Sequence, residues 1–384
     1  MTRHAVVTTV HPHGMGLAVG SHHLARELAR RGWQVLLLAD PASLAHALAS
    51  LASAAPRDRM RAALTGWRTI GPSLSTWTPI TLAPLAGRLG AGSPAMLDLW
   101  SRMSLPPLAG RLRRQGFGSP DLLVLDGAVQ AGLAEALAPR HLVVRMFDHP
   151  DGRAGLPEAL RQREKALIAR ADLVAVTAPG LAPVAAAAGA RRVHLFENGV
   201  DPAAFDGPLP EPADLAVIPR PRVVYAGAIE PWVDQSLVEA TARLCPAISF
   251  VWIGPQRSPP LGPDAPNVFR LGKKRYEDLP AYLTHCDAGL IPFDRAGYAA
   301  LVDTVNPLKL YDYAAAGLPV VATPWPELER IGGPVTLAEG APAFAAALRA
   351  VVAAAAPAAA REFARNASWQ RRVDGLLDAL GLLD

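Results

Sequence analysis

The sequence is poor in cysteine, in charge and in long apolar runs, and each shortage excludes a class of protein. Its two cysteines, Cys245 and Cys286, lie too far apart to suggest a disulfide framework, which favours a reducing compartment. Charged residues make up 19% of the chain and apolar residues 51%, a balance typical of a packed globular protein. No apolar run is long enough to cross a bilayer, and residues 1–13 lack the apolar centre of a signal peptide. We therefore expect a soluble, cytoplasmic protein.

Positive charge is concentrated in one stretch. Residues 57–118 hold nine arginines and two acids, a charge of +7, so the remainder of a chain with net charge +4 carries −3. Trp67, Trp77 and Trp100 lie in the same stretch. Arginine mixed with tryptophan favours peripheral contact with a membrane or with a lipid-linked phosphate rather than with nucleic acid. The alternative is that arginine is simply the usual surface cation of this chain.

The order of apolar runs and helical patterns predicts two domains, as suits a chain of 384 residues. Strand Ala5–Val10, a glycine loop, a helix from about Leu17 and strand Val35–Leu38 form the first unit of a doubly wound parallel sheet. The sequence predicts a Rossmann-like domain over 1–205, a proline-rich linker over 206–220, a second Rossmann-like domain over 221–367, and a final helical segment over 368–384 that packs back towards the first domain. Ligands of such sheets bind at the carboxyl ends of the strands, so we expect a site in the cleft between the domains.

The segment from Asn306 to Val321 predicts a short helix with defined ends. Asn306 suits the N-cap, Pro307 suits the first helical position, and Gly317 suits the left-handed turn that ends a helix. The start of a helix attracts anions, and Lys309 in the first turn is favourable only when an anion is bound. A phosphate group would satisfy this requirement.

Asp312 lies three residues after Lys309 and therefore on the same face of the helix. A lysine for a diphosphate and a carboxylate for ribose hydroxyls would together bind a nucleotide. The alternative from spacing alone is a solvent-exposed ion pair worth about 0.3 kcal/mol.

This segment resembles the Pro-x-Lys-x-x-Glu-Tyr-x-Ala-x-Gly-x-Pro-Val-Val sequence of GT-B glycosyltransferases in the family-four-like clan. Further segments resemble the same clan in the same order, and they are Phe196–Phe205, Val223–Asp234, Phe250–Pro255, Leu271–Pro280 and Asp287–Phe293. The resemblance implies the GT-B fold, with two Rossmann-like domains facing across a cleft. It also implies a nucleotide-diphosphate sugar as the donor substrate, with no further cofactor and no metal.

The resemblance assigns Lys309 to the diphosphate and Asp312 to the ribose. Pro307 and Leu308 would open the binding helix, and Glu230 would lie in the loop after the first strand of the second domain. Two glycines, Gly227 and Gly254, would let the backbone approach the donor, although tight turns at strand ends explain them equally well.

Two departures distinguish the chain from many relatives. Thr304 stands where a second glutamate is common, with Asp303 beside it, and residues 228–232 lack the usual arginine and lysine. In these respects the chain is closer to bacterial exopolysaccharide and teichuronic acid transferases.

The N-terminal half offers candidates for acceptor activation. Asp148 and His149 follow a predicted strand, and a carboxylate there could take the proton of an acceptor hydroxyl, although Asp148 could equally cap the next turn. His13 lies in the first glycine loop, where some sugar transferases keep a catalytic histidine. Three further residues, Gly14, Gly16 and Asn198, are assigned to the loops on the acceptor side. The histidines of this loop lack the companions of a metal site.

The sequence therefore predicts transfer of a hexose-like unit from a nucleotide-diphosphate sugar to a hydroxyl acceptor. Two alternatives stay open, namely a catalytically silent GT-B partner subunit and a GT-B sugar-nucleotide epimerase.

Overall fold

The computed structural model describes residues 2–14, 18–43, 46–47, 54–82, 100–152, 157–260, 264–354 and 357–383. The chain forms two compact units, which we call unit 1 (Met1–Phe196 with Val373–Asp384) and unit 2 (Glu197–Arg372). This division falls at Phe196, nine residues before the boundary predicted from the sequence.

Unit 1 is built on an eight-stranded sheet whose neighbouring strands are parallel except at one edge. In sheet order the strands are Val193–Leu195, Leu173–Val176, His141–Met146, Leu122–Leu125, His4–Thr9, Gln34–Ala39, Leu74–Trp77 and Arg68–Gly71. The central strands are buried on both faces, as their continuous Val and Leu runs predict. The longer helices on this sheet are Gly20–Arg30, Ala54–Leu64 and Glu158–Arg170, and the shorter ones are Leu108–Arg114, Leu133–Leu137 and Ala182–Ala187.

The structure corrects the interpretation of residues 57–118. The stretch contains a hairpin of Arg68–Gly71 and Leu74–Trp77, which extends the sheet and which the sequence did not predict. A small three-stranded sheet of Ala42–Ser43, Ile80–Thr81 and Ser104–Leu105 was also not predicted. Trp77 and Trp100 are buried core residues, and Trp67 packs against Trp77 with ring centroids 5.9 Å apart. Trp77 and Trp100 therefore do not contribute to the mixed basic and aromatic surface that the sequence suggested, whereas Trp67 is half-buried and has the Arg111 guanidinium 5.9 Å from its ring centre. Residues 83–99, with Arg88, lie outside the described part of the chain.

Unit 2 is built on a six-stranded parallel sheet. In sheet order the strands are Val268–Gly272, Ser249–Ile253, Arg222–Ala226, Ala288–Ile291, Val320–Ala322 and Val335–Leu337. The helices are Ala213–Ala216, Gln235–Leu244, Leu279–Leu283, Arg295–Val302, Leu308–Ala316, Pro326–Ile331, Gly340–Ala353 and Pro357–Asn366. A last helix, Trp369–Ala379, follows them in the chain.

Residues 206–220, expected to be a linker, pack onto unit 2. Leu215 and Ile218 are buried in its core, and Asp214 accepts hydrogen bonds from Lys274 (2.6 Å) and Tyr282 (2.8 Å). The last residues of the chain group with unit 1, where Asp374 forms an ion pair with Arg31.

Both cysteines are buried thiols outside any disulfide. Within the described ranges, no single helix has the length and apolarity of a membrane span, whereas the sharply bent pair Gly340–Ala353 and Pro357–Asn366 meets that test by composition and length.

Candidate functional site

The helix singled out from the sequence runs from Leu308 to Ala316, and its first turn lies beside the carboxyl end of the strand Arg222–Ala226, where a Cβ on Gly227 would be 3.3 Å from Cε of Lys309. Gly317 ends it in the left-handed conformation, with φ of 85°, as predicted. The predicted start is corrected by one residue, because Pro307 is the N-cap, with φ of −83° and ψ of 116°, and Leu308 is the first helical residue. Proline lacks the N–H that a helix interior would use, so it fits this position equally well.

Asn306 does not cap the helix because its side chain is engaged elsewhere. Its amide oxygen accepts hydrogen bonds from the Tyr311 hydroxyl (2.9 Å) and from the Asn198 backbone N–H (3.2 Å), and its amide nitrogen donates to Glu327 (3.0 Å). Asn198, predicted to lie in an acceptor-side loop, also donates from its side chain to the Asn306 carbonyl (2.7 Å). Both asparagines are buried. Their hydrogen bonds fix the chain segment that leads into the helix. The structure thus places Asn198 beside this segment.

Lys309 projects from the first turn and is enclosed by aromatic rings. Its Nζ lies 5.1 Å from the centre of the Tyr225 ring and 4.9 Å from that of Phe293. Among the described residues no carboxylate pairs with it within 4.0 Å. Burial lowers the pKa of Lys309 from 10.5 to about 8, and the charge of Asp312 opposes this shift. The ammonium group is thus desolvated, and a bound anion would stabilise its charge.

Asp312 is 8% exposed, on the next turn of the same helix. The Tyr276 hydroxyl donates a hydrogen bond of 3.0 Å to its Oδ1. Burial raises the pKa of Asp312 to about 7, against the opposing effects of Tyr276 and Lys309. The solvent-exposed ion pair considered from the spacing is therefore wrong, because both groups are desolvated and they do not pair directly. Perturbed pKa values of this kind are concentrated at functional sites.

The two candidate glycines are explained by close packing within unit 2. Gly254 has φ of 151°, and a Cβ there would lie 1.8 Å from the Gly227 carbonyl oxygen. Gly227 has φ of 149°, and its Cβ would lie 3.3 Å from Cε of Lys309. Gly254 thus lets two strand ends meet, and Gly227 leaves room for the lysine. Glu230, in the loop after Gly227, forms a 2.9 Å ion pair with Arg257, which contributes a cation from the neighbouring loop.

Thr304, which stands where many relatives have a second glutamate, and its neighbour Asp303 both bond to nearby residues. Thr304 is buried, with its hydroxyl 3.4 Å from the Leu301 carbonyl, and Asp303 pairs with Arg295 through a bond of 2.5 Å. Glu327, in the helix Pro326–Ile331, is buried against Arg330 and Asn306, and no sequence motif predicted a role for it.

In unit 1, Asp148 and His149 directly follow the strand His141–Met146, as predicted. His149 lines a cavity of about 480 Å³ whose polar wall includes Glu164 and Lys165 and whose apolar wall includes Met146 and Ile168. The structure therefore puts His149 and Glu164 on the same cavity.

His13 lies near the start of the helix Gly20–Arg30, with its ring centroid 6.4 Å from that of His22. Gly14 has φ of 86°, in the left-handed region, and Gly16 lies outside the described residues. Burial lowers the pKa of His22 to about 3, so this histidine is neutral. In the part of the chain that the structure describes, no group of three or more His, Cys, Asp or Glu side chains is arranged to hold a metal.

Sequence reasoning missed the partners of the two central residues. Tyr225, Phe293 and Tyr276 lie between 16 and 84 residues away from Lys309 and Asp312 in the chain, and periodicity gives no signal for such contacts. It also missed a buried ion pair in unit 1, in which Arg145 and Asp126 are each 4% exposed and 3.1 Å apart.

Comparison with known proteins identifies the class. Residues 220–354, which include Lys309 and Asp312, match the family model described as glycosyl transferases group 1. This segment of the chain is similar to that family, and the resemblance stated from the sequence is confirmed.

A curated relative is TuaH of Bacillus subtilis (strain 168), a glycosyltransferase assigned to teichuronic acid biosynthesis. It is 28% identical over 201 residues, which are 48% of this chain and 49% of TuaH. The chain thus matches about half the length of this relative.

Solved structures resemble the whole chain at low identity. Sucrose-phosphate synthase from Thermosynechococcus elongatus superposes with a TM-score of 0.65 at 17% identity, over 99% of this chain and 96% of its own. HepE of Anabaena in complex with UDP-glucose superposes with a TM-score of 0.64 at 15% identity, over 99% of both chains. The chain has the GT-B fold with two parallel-sheet units, so the predicted fold class is confirmed.

Proposed function

We propose that the protein is a glycosyltransferase that moves a hexosyl unit from a nucleotide-diphosphate sugar to a hydroxyl acceptor without a bound metal. The observation that carries the proposal is the aromatic-enclosed Lys309 at the start of the helix Leu308–Ala316. This ammonium has no carboxylate partner among the described residues, and it lies within the segment that matches the group 1 family.

The donor diphosphate binds at the first turn of this helix. The turn has backbone N–H groups without helical acceptors, and Lys309 adds a full positive charge. As the bond between the anomeric carbon and the diphosphate oxygen breaks, negative charge grows on the leaving diphosphate, and these groups stabilise it. Asp312 accepts hydrogen bonds from the ribose hydroxyls. HepE was solved with UDP-glucose, which makes a UDP-hexose the first donor to test.

Unit 1 supplies the groups for the acceptor. Asp148 is the first choice of base, since it follows a strand end of a parallel sheet, with His149 beside it and His13 in the first loop. The base takes the proton of the acceptor hydroxyl, whose oxygen forms the new bond to the anomeric carbon. The assignment of TuaH to teichuronic acid biosynthesis directs the acceptor screen to polysaccharides and lipid-linked saccharides. Two buried thiols outside any disulfide agree with a cytoplasmic location.

Turnover with a panel of nucleotide-diphosphate sugars tests the proposal. UDP-, GDP- and dTDP-hexoses are incubated with the protein, with EDTA and with candidate acceptors, and free nucleoside diphosphate and new sugar nucleotides are measured. A transferase releases nucleoside diphosphate, faster with its acceptor present and undiminished by EDTA. An epimerase yields a new sugar nucleotide and no free diphosphate, and a silent subunit yields neither.

One observation favours the silent subunit as the second candidate. Thr304, a neutral and buried side chain, occupies the position of a glutamate that is common in relatives. Nucleotide binding without any turnover in the panel would identify this alternative.

A further inference from the structure

Tyr276 contacts the candidate site from a separate part of unit 2. It lies on the short turn Tyr276–Asp278, after the edge strand Val268–Gly272, and its hydroxyl donates to Oδ1 of Asp312 over 3.0 Å. No sequence motif predicts a role for Tyr276. The pair joins the loop of one strand to the helix that carries Lys309.

This hydrogen bond matters because Asp312 is desolvated. At 8% exposure the carboxylate has lost most of its contact with water, and the bond from Tyr276 favours its charged form, against the effect of burial. A carboxylate with one oxygen held by a tyrosine has a restricted orientation. Its other oxygen is then the acceptor that remains for a ligand hydroxyl.

We infer that Tyr276 is a positioning residue for ribose recognition: it fixes Asp312 so that the carboxylate accepts hydrogen bonds from the ribose hydroxyls of the donor nucleotide. The inference rests on the proposed function, which places a nucleotide at this site. It goes beyond that proposal by assigning ribose discrimination to a residue of the edge-strand loop.

The test is a comparison of nucleotides with and without ribose hydroxyls. UDP, GDP and ADP, each beside its 2′,3′-dideoxy counterpart, are titrated into the intact protein and into Tyr276→Phe by calorimetry. We expect Tyr276→Phe to lower the affinity for the ribonucleotide by about 10- to 100-fold, as for the loss of one hydrogen bond to a charged group. Affinity for the dideoxy counterpart should change by less than about twofold.

Tyr282→Phe is the matched control. Tyr282 also donates to an aspartate of unit 2, Asp214, over 2.8 Å, but this pair involves neither Lys309 nor Asp312. The control variant should keep the wild-type ratio of affinities for the two nucleotides. A double-mutant cycle with Asp312→Asn adds a second readout, because Tyr276→Phe should have little further effect once the carboxylate is gone.

The outcomes separate the inference from the proposed function. Wild-type protein that binds none of the three ribonucleotides overturns both. Wild-type binding with an equal loss for ribo- and dideoxynucleotide in Tyr276→Phe overturns the inference alone, as does an undiminished effect of Tyr276→Phe in the Asp312→Asn background.

Discussion

Replacing Lys309 with methionine removes a desolvated positive charge while keeping an unbranched side chain of similar length. Burial lowers the pKa of Lys309 from 10.5 to about 8. At about 1.4 kcal/mol per pKa unit, the charge costs the folded state about 3 kcal/mol at pH 7. We therefore expect Lys309→Met to raise the free energy of unfolding of the nucleotide-free protein by up to about 3 kcal/mol at pH 7.

The pH dependence of this gain identifies its cause. The pKa of Lys309 is lower in the folded state than the unfolded-state value of 10.5. The charge therefore destabilises the folded protein fully below pH 8, less between pH 8 and 10.5, and not at all above that range. Urea unfolding of wild type and Lys309→Met at pH 7 and pH 10 measures it. Lys274→Met is the control, since Lys274 pairs with Asp214 and has a raised pKa, so its loss should not stabilise the protein. A Lys309→Met variant less stable than wild type at pH 7, or a gain that is unchanged at pH 10, would refute the reasoning.

Three further predictions follow from the same contacts. Nucleoside diphosphate affinity should be highest between pH 7 and 8, because Asp312 loses its charge as the pH falls through about 7 and Lys309 loses its charge as the pH rises through about 8. Calorimetry from pH 5.5 to 9.5 measures this affinity, and a profile that does not change with pH would contradict the prediction. Gly227→Ala should weaken nucleotide binding by at least about tenfold, because the new Cβ would lie 3.3 Å from Cε of Lys309 and displace its side chain; unchanged affinity would disprove the packing role. Arg145→Met should lower the free energy of unfolding by about 3–5 kcal/mol, because it leaves Asp126 buried without its partner; urea unfolding measures this, and a loss below about 1 kcal/mol would argue against the pair.

The sequence predicted the helix of the site because its ends are local features. An asparagine and a proline before the helix, and a glycine followed by a proline after it, restrict the backbone within a few residues. The start was wrong by one position because Asn306 bonds to Tyr311, Asn198 and Glu327 instead of capping. Those bonds join distant parts of the chain, and spacing alone does not reveal them.

The environment of Lys309 and Asp312 depends on contacts of the same kind. Their positions on the helix were predictable, but their desolvation depends on Tyr225, Phe293 and Tyr276 from other strand ends. The spacing therefore left open a weak surface pair, which the structure excludes. Similarly, the burial of Trp77 and Trp100 could not be read from a stretch rich in arginine. Trp77 is buried by the pairing of its strand with Gln34–Ala39, and Trp100 by packing in the core of unit 1, where its indole N–H donates to the Val129 carbonyl.

The central claim is that Lys309 holds the diphosphate of a nucleotide. Titration of wild type, Lys309→Met and Lys274→Met with UDP, GDP and ADP by calorimetry tests it most directly. We predict that wild type and Lys274→Met bind one of the three with similar affinity and that Lys309→Met, though folded, binds it at least about 100-fold more weakly, as expected for a charge-assisted phosphate contact. Equal affinity of wild type and Lys309→Met would contradict the account.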